Sequence, residues 1–123
     1  MKLHIISLFI IITSISNSMI DGLHYFELED SSIIIMQRKG SILINQSCEK
    51  KDCEALEVLK TKVPVKLVNA PNGKNPGAVV CTKYLGGKIL MLKERKTSSI
   101  QSFCLFKDGS ILSNTTIYSD IMY

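Results

Sequence analysis

Short apolar runs alternate with polar turns along this chain, and the spacing of the runs predicts its elements. Residues 32–37 and 41–45 are rich in isoleucine and are joined by the short sequence RKG. Two such runs with a glycine-containing link predict a β-hairpin. Residues 22–31 show no clear period, so we interpret them as an irregular lead-in to this hairpin.

A first helix is predicted over about residues 50–61. Its apolar and charged residues fall on opposite sides, as in an amphipathic helix. The apolar side consists of Ala55, Leu56, Val58 and Leu59. Pro64 ends this helix. Residues 70–74 are rich in Pro, Gly and Asn, and they mark the boundary between an N-terminal segment, 19–74, and a C-terminal domain, 75–123.

A second helix is predicted to begin at Asn75. The Asn75 side chain can cap the first turn, and Pro76 suits the first helical position because a backbone N–H would have no partner there. Cys81 faces the core, on the side of the helical wheel shared by Ala78, Val80, Tyr84 and Leu85. Gly86 or Gly87 supplies the left-handed residue that ends the helix.

Three strands are predicted after this helix, at 88–93, 100–106 and 111–118, with Asp108–Gly109 as a hairpin turn. The predicted fold is α+β. It has a small antiparallel sheet in which one helix packs on a three-stranded C-terminal meander, preceded by a β-hairpin and a helix.

Both faces of the strand 88–93 are apolar. We favour cover of the second face by the N-terminal segment over an exposed patch used for partner binding.

The first 18 residues have the order of a secretory signal peptide. Lys2 is followed by an apolar run at 3–12 and a small, polar stretch at 13–18, which places cleavage after Ser18. A membrane anchor is disfavoured because a spanning helix needs about 20 apolar residues. No cysteine lies at the cleavage site to carry a lipid. The mature chain is therefore expected to be periplasmic or secreted, without a membrane span.

Four cysteines in an exported chain predict disulfides, and spacing alone leaves three pairings open. A helix that crosses the C-terminal hairpin would bring Cys81 to Cys104. Cys48 and Cys53 flank the start of the first helix, within reach of a local bridge. We therefore predict these two pairs. A zinc site is disfavoured because the spacings lack closely paired ligands.

Residues 75–118 resemble a family of small exported bacterial domains catalogued under the name haemolysin. The shared order is Asn75–Pro76, Cys81, Gly86–Gly87, Cys104, Phe106 and Asp108–Gly109–Ser110. The chain departs from the family pattern at Lys107, where proline is usual, at Leu112, where a cysteine is usual, and in its ending "SDIMY". The resemblance implies a small exported domain, packed with residues 19–74 as one unit. Its name hints at membrane activity, although no motif accounts for lysis.

Candidate chemistry is sparse. His4 lies in the predicted signal peptide, and His24 stands alone in the lead-in, where we interpret it as a surface histidine. A cysteine nucleophile would need a histidine base close by, and a bridged Cys81 could not serve. Asp108 is interpreted as a turn residue. The sequence KERK at 93–96 is interpreted as a solvated hairpin tip. We therefore expect no catalysis, no metal and no cofactor.

The charge balance is mild. The formal net charge of +4 falls to +3 without Lys2, and the chain has no tryptophan. This does not favour nucleic-acid binding, which uses basic stripes with stacking aromatic residues. The predicted function is that of a small accessory or binding protein, such as an inhibitor, whose partner is a protein or another envelope component. A membrane-active protein is the alternative, and an enzyme ranks below both.

Overall fold

The computed structural model of the chain describes residues 22–48, 52–70 and 74–123. The predicted signal peptide and His4 lie outside these ranges. The described residues form a six-stranded antiparallel sheet of order β3-β2-β1-β4-β5-β6. The strands are β1 Leu23–Glu27, β2 Ile33–Lys39, β3 Ile42–Asn45, β4 Lys88–Glu94, β5 Ile100–Leu105 and β6 Ile111–Ser113. The helices are α1 Glu54–Val58, α2 Pro76–Lys83 and α3 Asn114–Thr116, which continues as a π-helical turn at Ile117–Ile121. The fold is α+β, as predicted.

The segment predicted as an irregular lead-in is a strand in the middle of the sheet. β1 pairs with β2 along its whole length, from Leu23↔Gln37 to Glu27↔Ile33. Its sequence lacks clear alternation because both faces carry apolar side chains: Phe26 is buried, and Tyr25 on the opposite face is half-buried. The irregular lead-in was therefore a wrong prediction, whereas the β2–β3 hairpin is confirmed.

The sheet consists of two meanders, β3-β2-β1 and β4-β5-β6, which meet over a short seam. β1 pairs with β4 only at Phe26↔Glu94 and Glu27↔Lys93. At the opposite side, the side chain of Asn45 reaches from β3 to the start of β6, where it bonds Gly109 and Ile111. Because the sheet is joined at both sides, it is nearly barrel-shaped.

One apolar core fills the space between the two meanders. Phe26 and Phe103 meet edge to face at its centre, with ring centroids 5.1 Å apart. The remaining fully packed members are Met36, Leu92 and Ile111. The N-terminal meander therefore covers the inner face of the C-terminal meander. This is the cover by the N-terminal segment that we favoured as the reason why both faces of strand 88–93 are apolar.

A second core lies outside the sheet, beneath α2 and the C-terminal helical turns. Val80 and Cys81 of α2 pack there with Cys104, Leu112 and the two isoleucines of the π-helical turn. The ending that departs from the family pattern is part of this core. Val63 pairs with Met122 in parallel orientation, and the backbone of Tyr123 also bonds Val63.

The predicted ends of α2 are confirmed, but one residue that was predicted to face the core is exposed. The Asn75 side chain accepts a bond from the backbone N–H of Gly77 (2.8 Å), Pro76 occupies the first helical position, and Gly86 has φ +70°. Tyr84, predicted to face the core, is 48% exposed. The regular helix ends at Lys83 and Tyr84 is its C-cap, so the helical wheel no longer applies there.

Two predicted elements are shorter than expected. The first helix was predicted over 50–61, but α1 covers only Glu54–Val58; the predicted start at Lys50 lies outside the described residues, and Cys53 is extended. The last strand was predicted to reach 118, but it ends at Ser113. The Ser113 side chain accepts from the N–H of Thr115 and so caps a helical turn.

Candidate protein interface

The four cysteines form the two pairs that the sequence predicted. Cys48–Cys53 closes the chain just before α1, with Cα atoms 5.1 Å apart. Cys81–Cys104 joins α2 to β5, with Cα atoms 5.8 Å apart. All four residues are buried. These bonds tie the helices to the sheet, and they leave no free thiol on the described surface.

The Asp108–Gly109 turn has a role beyond the one predicted. Gly109 has φ +86°, as a tight turn requires. The Asp108 carboxylate also accepts a bond from the backbone N–H of Glu54 (2.7 Å), and the buried Ser110 hydroxyl accepts one from Ala55 (3.0 Å). The Cys53 side chain makes no cap bond, so the turn between β5 and β6 caps α1 from outside the helix.

The electrostatics of Asp108 follow from this capping. Burial raises the pKa of Asp108, but the bonds from Ser110 and from the backbone N–H of Glu54 outweigh it, and the pKa lies below its ordinary value. Ser110 both donates its hydroxyl proton to Asp108 (2.6 Å) and donates its backbone N–H (3.0 Å). Asp108 is therefore a carboxylate at neutral pH, engaged with α1 and its own turn.

His24 is not the isolated surface histidine that the sequence suggested. Its Nδ1 lies 3.0 Å from Oε2 of Glu94, across the seam between β1 and β4. The Thr97 hydroxyl donates to the other carboxylate oxygen of Glu94 (2.9 Å). The pair borders an open groove of about 450 Å³, which Arg95 and Lys96 also line.

The Glu94 carboxylate is held in its charged form. The bond from His24 lowers the pKa of Glu94 most, burial opposes this in part, and the Thr97 bond lowers the pKa further. Glu94 is only 13% exposed, so the tip predicted as solvated has one packed residue. Thr97 contacts Glu94 and not His24. The arrangement seen is thus a link between strands, in which Glu94 accepts bonds from His24 and Thr97.

The fold leaves a group of apolar side chains exposed on the outside of the sheet. We call it the outer face and define it by five exposed aliphatic residues of β2, β4 and β5: Ile33, Ile35, Ile89, Met91 and Ile100. Ile35 and Met91 are each 50% exposed, and Ile100 is 67% exposed. The helices cover the sheet at β3, β5 and β6, and they leave this part open.

Strand register places these side chains on the same face of the sheet. Ile33 pairs with Glu27, Glu27 with Lys93, and Lys93 with Ile100, so one row crosses four strands. Directly paired residues project to the same face. The row has apolar ends and a charged centre, where Arg95 also lies 3.6 Å from Glu27. From the sequence, an exposed patch was the less favoured reason why both faces of strand 88–93 are apolar. On the outer face, Ile89 and Met91 are indeed exposed.

Two further features bear on the site. In the described part of the chain, no helix is long and apolar enough to cross a membrane. Within the same residues, side chains that ligate metals do not gather in groups of three or more. The comparisons with protein families, curated proteins and solved structures find no match to this chain.

Proposed function

We propose that this chain is a small exported protein that binds another protein through the outer face, and that it is not a catalyst. One observation carries the proposal: five large aliphatic side chains are exposed on a single sheet surface around a charged centre. Clusters of exposed apolar side chains mark interaction sites in soluble proteins. An apolar surface with embedded charges also matches the composition of protein interfaces.

Export is supported by two features that are independent of the outer face. Residues 1–18 have the order of a signal peptide. Two buried disulfides suit an oxidising compartment, such as the periplasm or the extracellular space. The resemblance to exported haemolysin-named domains fits the same proposal, and it rests on residues 75–118 alone.

A matched pair of variants tests the binding surface. Ile33→Ser with Ile35→Ser removes apolar area from the outer face. Val65→Ser with Leu67→Ser removes comparable exposed area elsewhere, since these residues are 45% and 63% exposed on the short 3-10 turn at Val65–Leu67. Each protein is incubated with exported proteins of the source organism, cross-linked and analysed by mass spectrometry. We expect one partner that the wild type and the control retain and the outer-face variant loses. Equal capture by all three would contradict the proposal.

A membrane-active protein is the second candidate, because basic residues lie within and beside the outer face. Lys93, Arg95 and Lys96 are all exposed at the β4–β5 tip, next to Ile100. An apolar surface that also carries basic residues can attract an anionic membrane. Dye release from vesicles of phosphatidylglycerol separates the two functions. Release that the Ile33→Ser, Ile35→Ser variant loses would favour membrane activity over protein binding.

A further inference from the structure

Strand β4 extends beyond the end of β1, which pairs with one of its two sides. The β1–β2 hairpin turns after Glu27, which lies opposite Lys93. The rest of β4, from Lys88 to Leu92, pairs with β5 on one side only. Among the described residues, no backbone group bonds its other side. This leaves an open strand edge beside the outer face.

The direction of the backbone groups along β4 follows from two bonds. The N–H of Glu94 donates to Ser99, on the β5 side, and the N–H of Arg95 donates to Tyr25, on the β1 side. Backbone groups alternate between the two sides in an antiparallel strand. The N–H and C=O groups of Ile89 and Met91 therefore point to the open side, which gives two donors and two acceptors in a row. Such an edge is a template for another strand.

Charged residues lie at both ends of this edge. At one end, the β1–β2 turn carries the exposed Glu29 and Asp30, and the exposed Lys93 lies beside them, so this end has both signs. At the other end lies the exposed Lys88, which pairs with Leu105. A strand that runs antiparallel to β4 would begin beside the β1–β2 turn and finish at Lys88.

We propose that the open edge of β4 binds an extended peptide segment of a protein partner by strand addition, antiparallel to β4, with an acidic C-terminal end that lies beside Lys88. Backbone bonds to Ile89 and Met91 provide affinity, as in other cases of strand addition. Apolar residues at alternate positions of the segment extend the outer face beside these two side chains. Between them, one inward residue lies next to the partly buried Leu90. This inference rests on the proposed function, because it names the partner's mode of binding.

The test uses the mature protein and the labelled peptide Lys-Val-Leu-Val-Glu, whose two valines lie opposite Met91 and Ile89. Fluorescence anisotropy measures binding. N-methylation of both valines removes the donors that face β4 and should weaken binding at least about tenfold. N-methylation of the central leucine, whose N–H points away, is the matched control and should change it little. The reversed peptide Glu-Val-Leu-Val-Lys should also bind more weakly.

A protein variant gives an independent check. Met91→Pro removes an N–H that points away from β5, and proline is tolerated on an edge strand. We expect a folded variant that loses the peptide. If this variant fails to fold, the methylated peptides on the wild-type protein decide the question. Equal binding of all four peptides, or no binding of any, would overturn strand addition.

Two other results separate this inference from the proposed function. A dimer of the wild type that Met91→Pro disperses would show that a second copy occupies the edge, and it would overturn the proposal of a peptide segment. The second result is partner capture that depends on Ile33 and Ile35 while the protein binds none of the peptides. That result would contradict strand addition, but it would still support the outer face as the binding surface.

Discussion

Asn45 at the end of β3 bonds Ile111 at the start of β6. The side-chain oxygen of Asn45 accepts from the backbone N–H of Ile111 (3.2 Å), and the side-chain nitrogen donates to the C=O of Gly109 (2.8 Å). A side-chain amide presents one acceptor and two donors, and it can thus replace one rung of a backbone ladder. This contact joins the outer strands of the two meanders and nearly closes the sheet.

Asn45→Ala should lower the free energy of unfolding by about 1–3 kcal/mol, because it leaves the N–H of the buried Ile111 and the Gly109 carbonyl without this partner. Urea denaturation measures the change. Gln46→Ala, at the neighbouring exposed position, is the control and should stay within about 0.5 kcal/mol of the wild type. A loss at Asn45 no larger than at Gln46 would mean that the sheet does not depend on this contact.

Ser110→Ala should destabilise the protein by about 1–3 kcal/mol, because the N–H of Ala55 would lose its bond in a fully buried site. The exposed Lys107→Ala is a control in the same turn and should change little. Amide hydrogen exchange locates the effect: faster exchange at Glu54 and Ala55 is expected in the Ser110 variant. Unchanged exchange at both amides would show that the turn does not cap α1.

The sequence predicted those features of the fold that local chemistry determines. The cap at Asn75, the left-handed Gly86 and the β2–β3 hairpin each depend on residues close in the chain. The features that it missed join distant residues: His24 to Glu94 over 70 positions, Asn45 to Gly109 over 64, and Asp108 to Glu54 over 54. No periodicity records such contacts, since each uses a single polar side chain.

The candidate interface was only half visible in the sequence. The alternation of Ile89 and Met91 with Leu90 and Leu92 showed that both faces of β4 are apolar, which left internal cover and exposure as alternatives. What the pattern could not show is that β1 is a strand. Its pairing ends at Glu27, and this sets the length of the open β4 edge.

Glu94 should make stability depend on pH in the acid range. Its pKa lies below 4.5 in the folded protein because of the bonds from His24 and Thr97, so the unfolded chain binds its proton first as pH falls. The stabilisation is complete above pH 4.5 and is lost as pH falls through the lowered pKa. Urea unfolding of wild type and Glu94→Gln from pH 6 to pH 3 checks this. Their difference should be constant at the upper end and shrink below pH 4.5; a difference that ignores pH would contradict the assignment.

The two disulfides should differ in their contribution to stability. The Cys81–Cys104 loop has a sequence separation of 23, and the Cys48–Cys53 loop one of 5. In the chain-entropy model this difference is about 1.4 kcal/mol in favour of the longer loop. The double variant Cys81→Ala, Cys104→Ala should therefore lose more stability than Cys48→Ala, Cys53→Ala. Each double variant removes two buried sulfur atoms, so that loss is the same in both and the loop length makes the difference. The reverse order in urea denaturation would show that the local bridge holds α1 more strongly than loop length suggests.

Gly87 and Gly86 are both needed as glycine, but for different reasons: Gly87 for space and Gly86 for its positive φ. Their alanine variants should therefore differ in their effects. A Cβ at Gly87 would overlap Sγ of Cys104 and lie 3.0 Å from Sγ of Cys81, so Gly87→Ala must displace α2 or the disulfide. A Cβ at Gly86 meets open space, and only the backbone at φ +70° opposes it. We expect Gly86→Ala to cost about 1–2 kcal/mol and Gly87→Ala about 1–3 kcal/mol. Thiol titration after oxidative refolding gives a second readout. Gly87→Ala should leave a fraction of Cys81 and Cys104 unpaired, whereas Gly86→Ala should not; full pairing in both, with equal stability, would contradict the close approach of Gly87 to the disulfide.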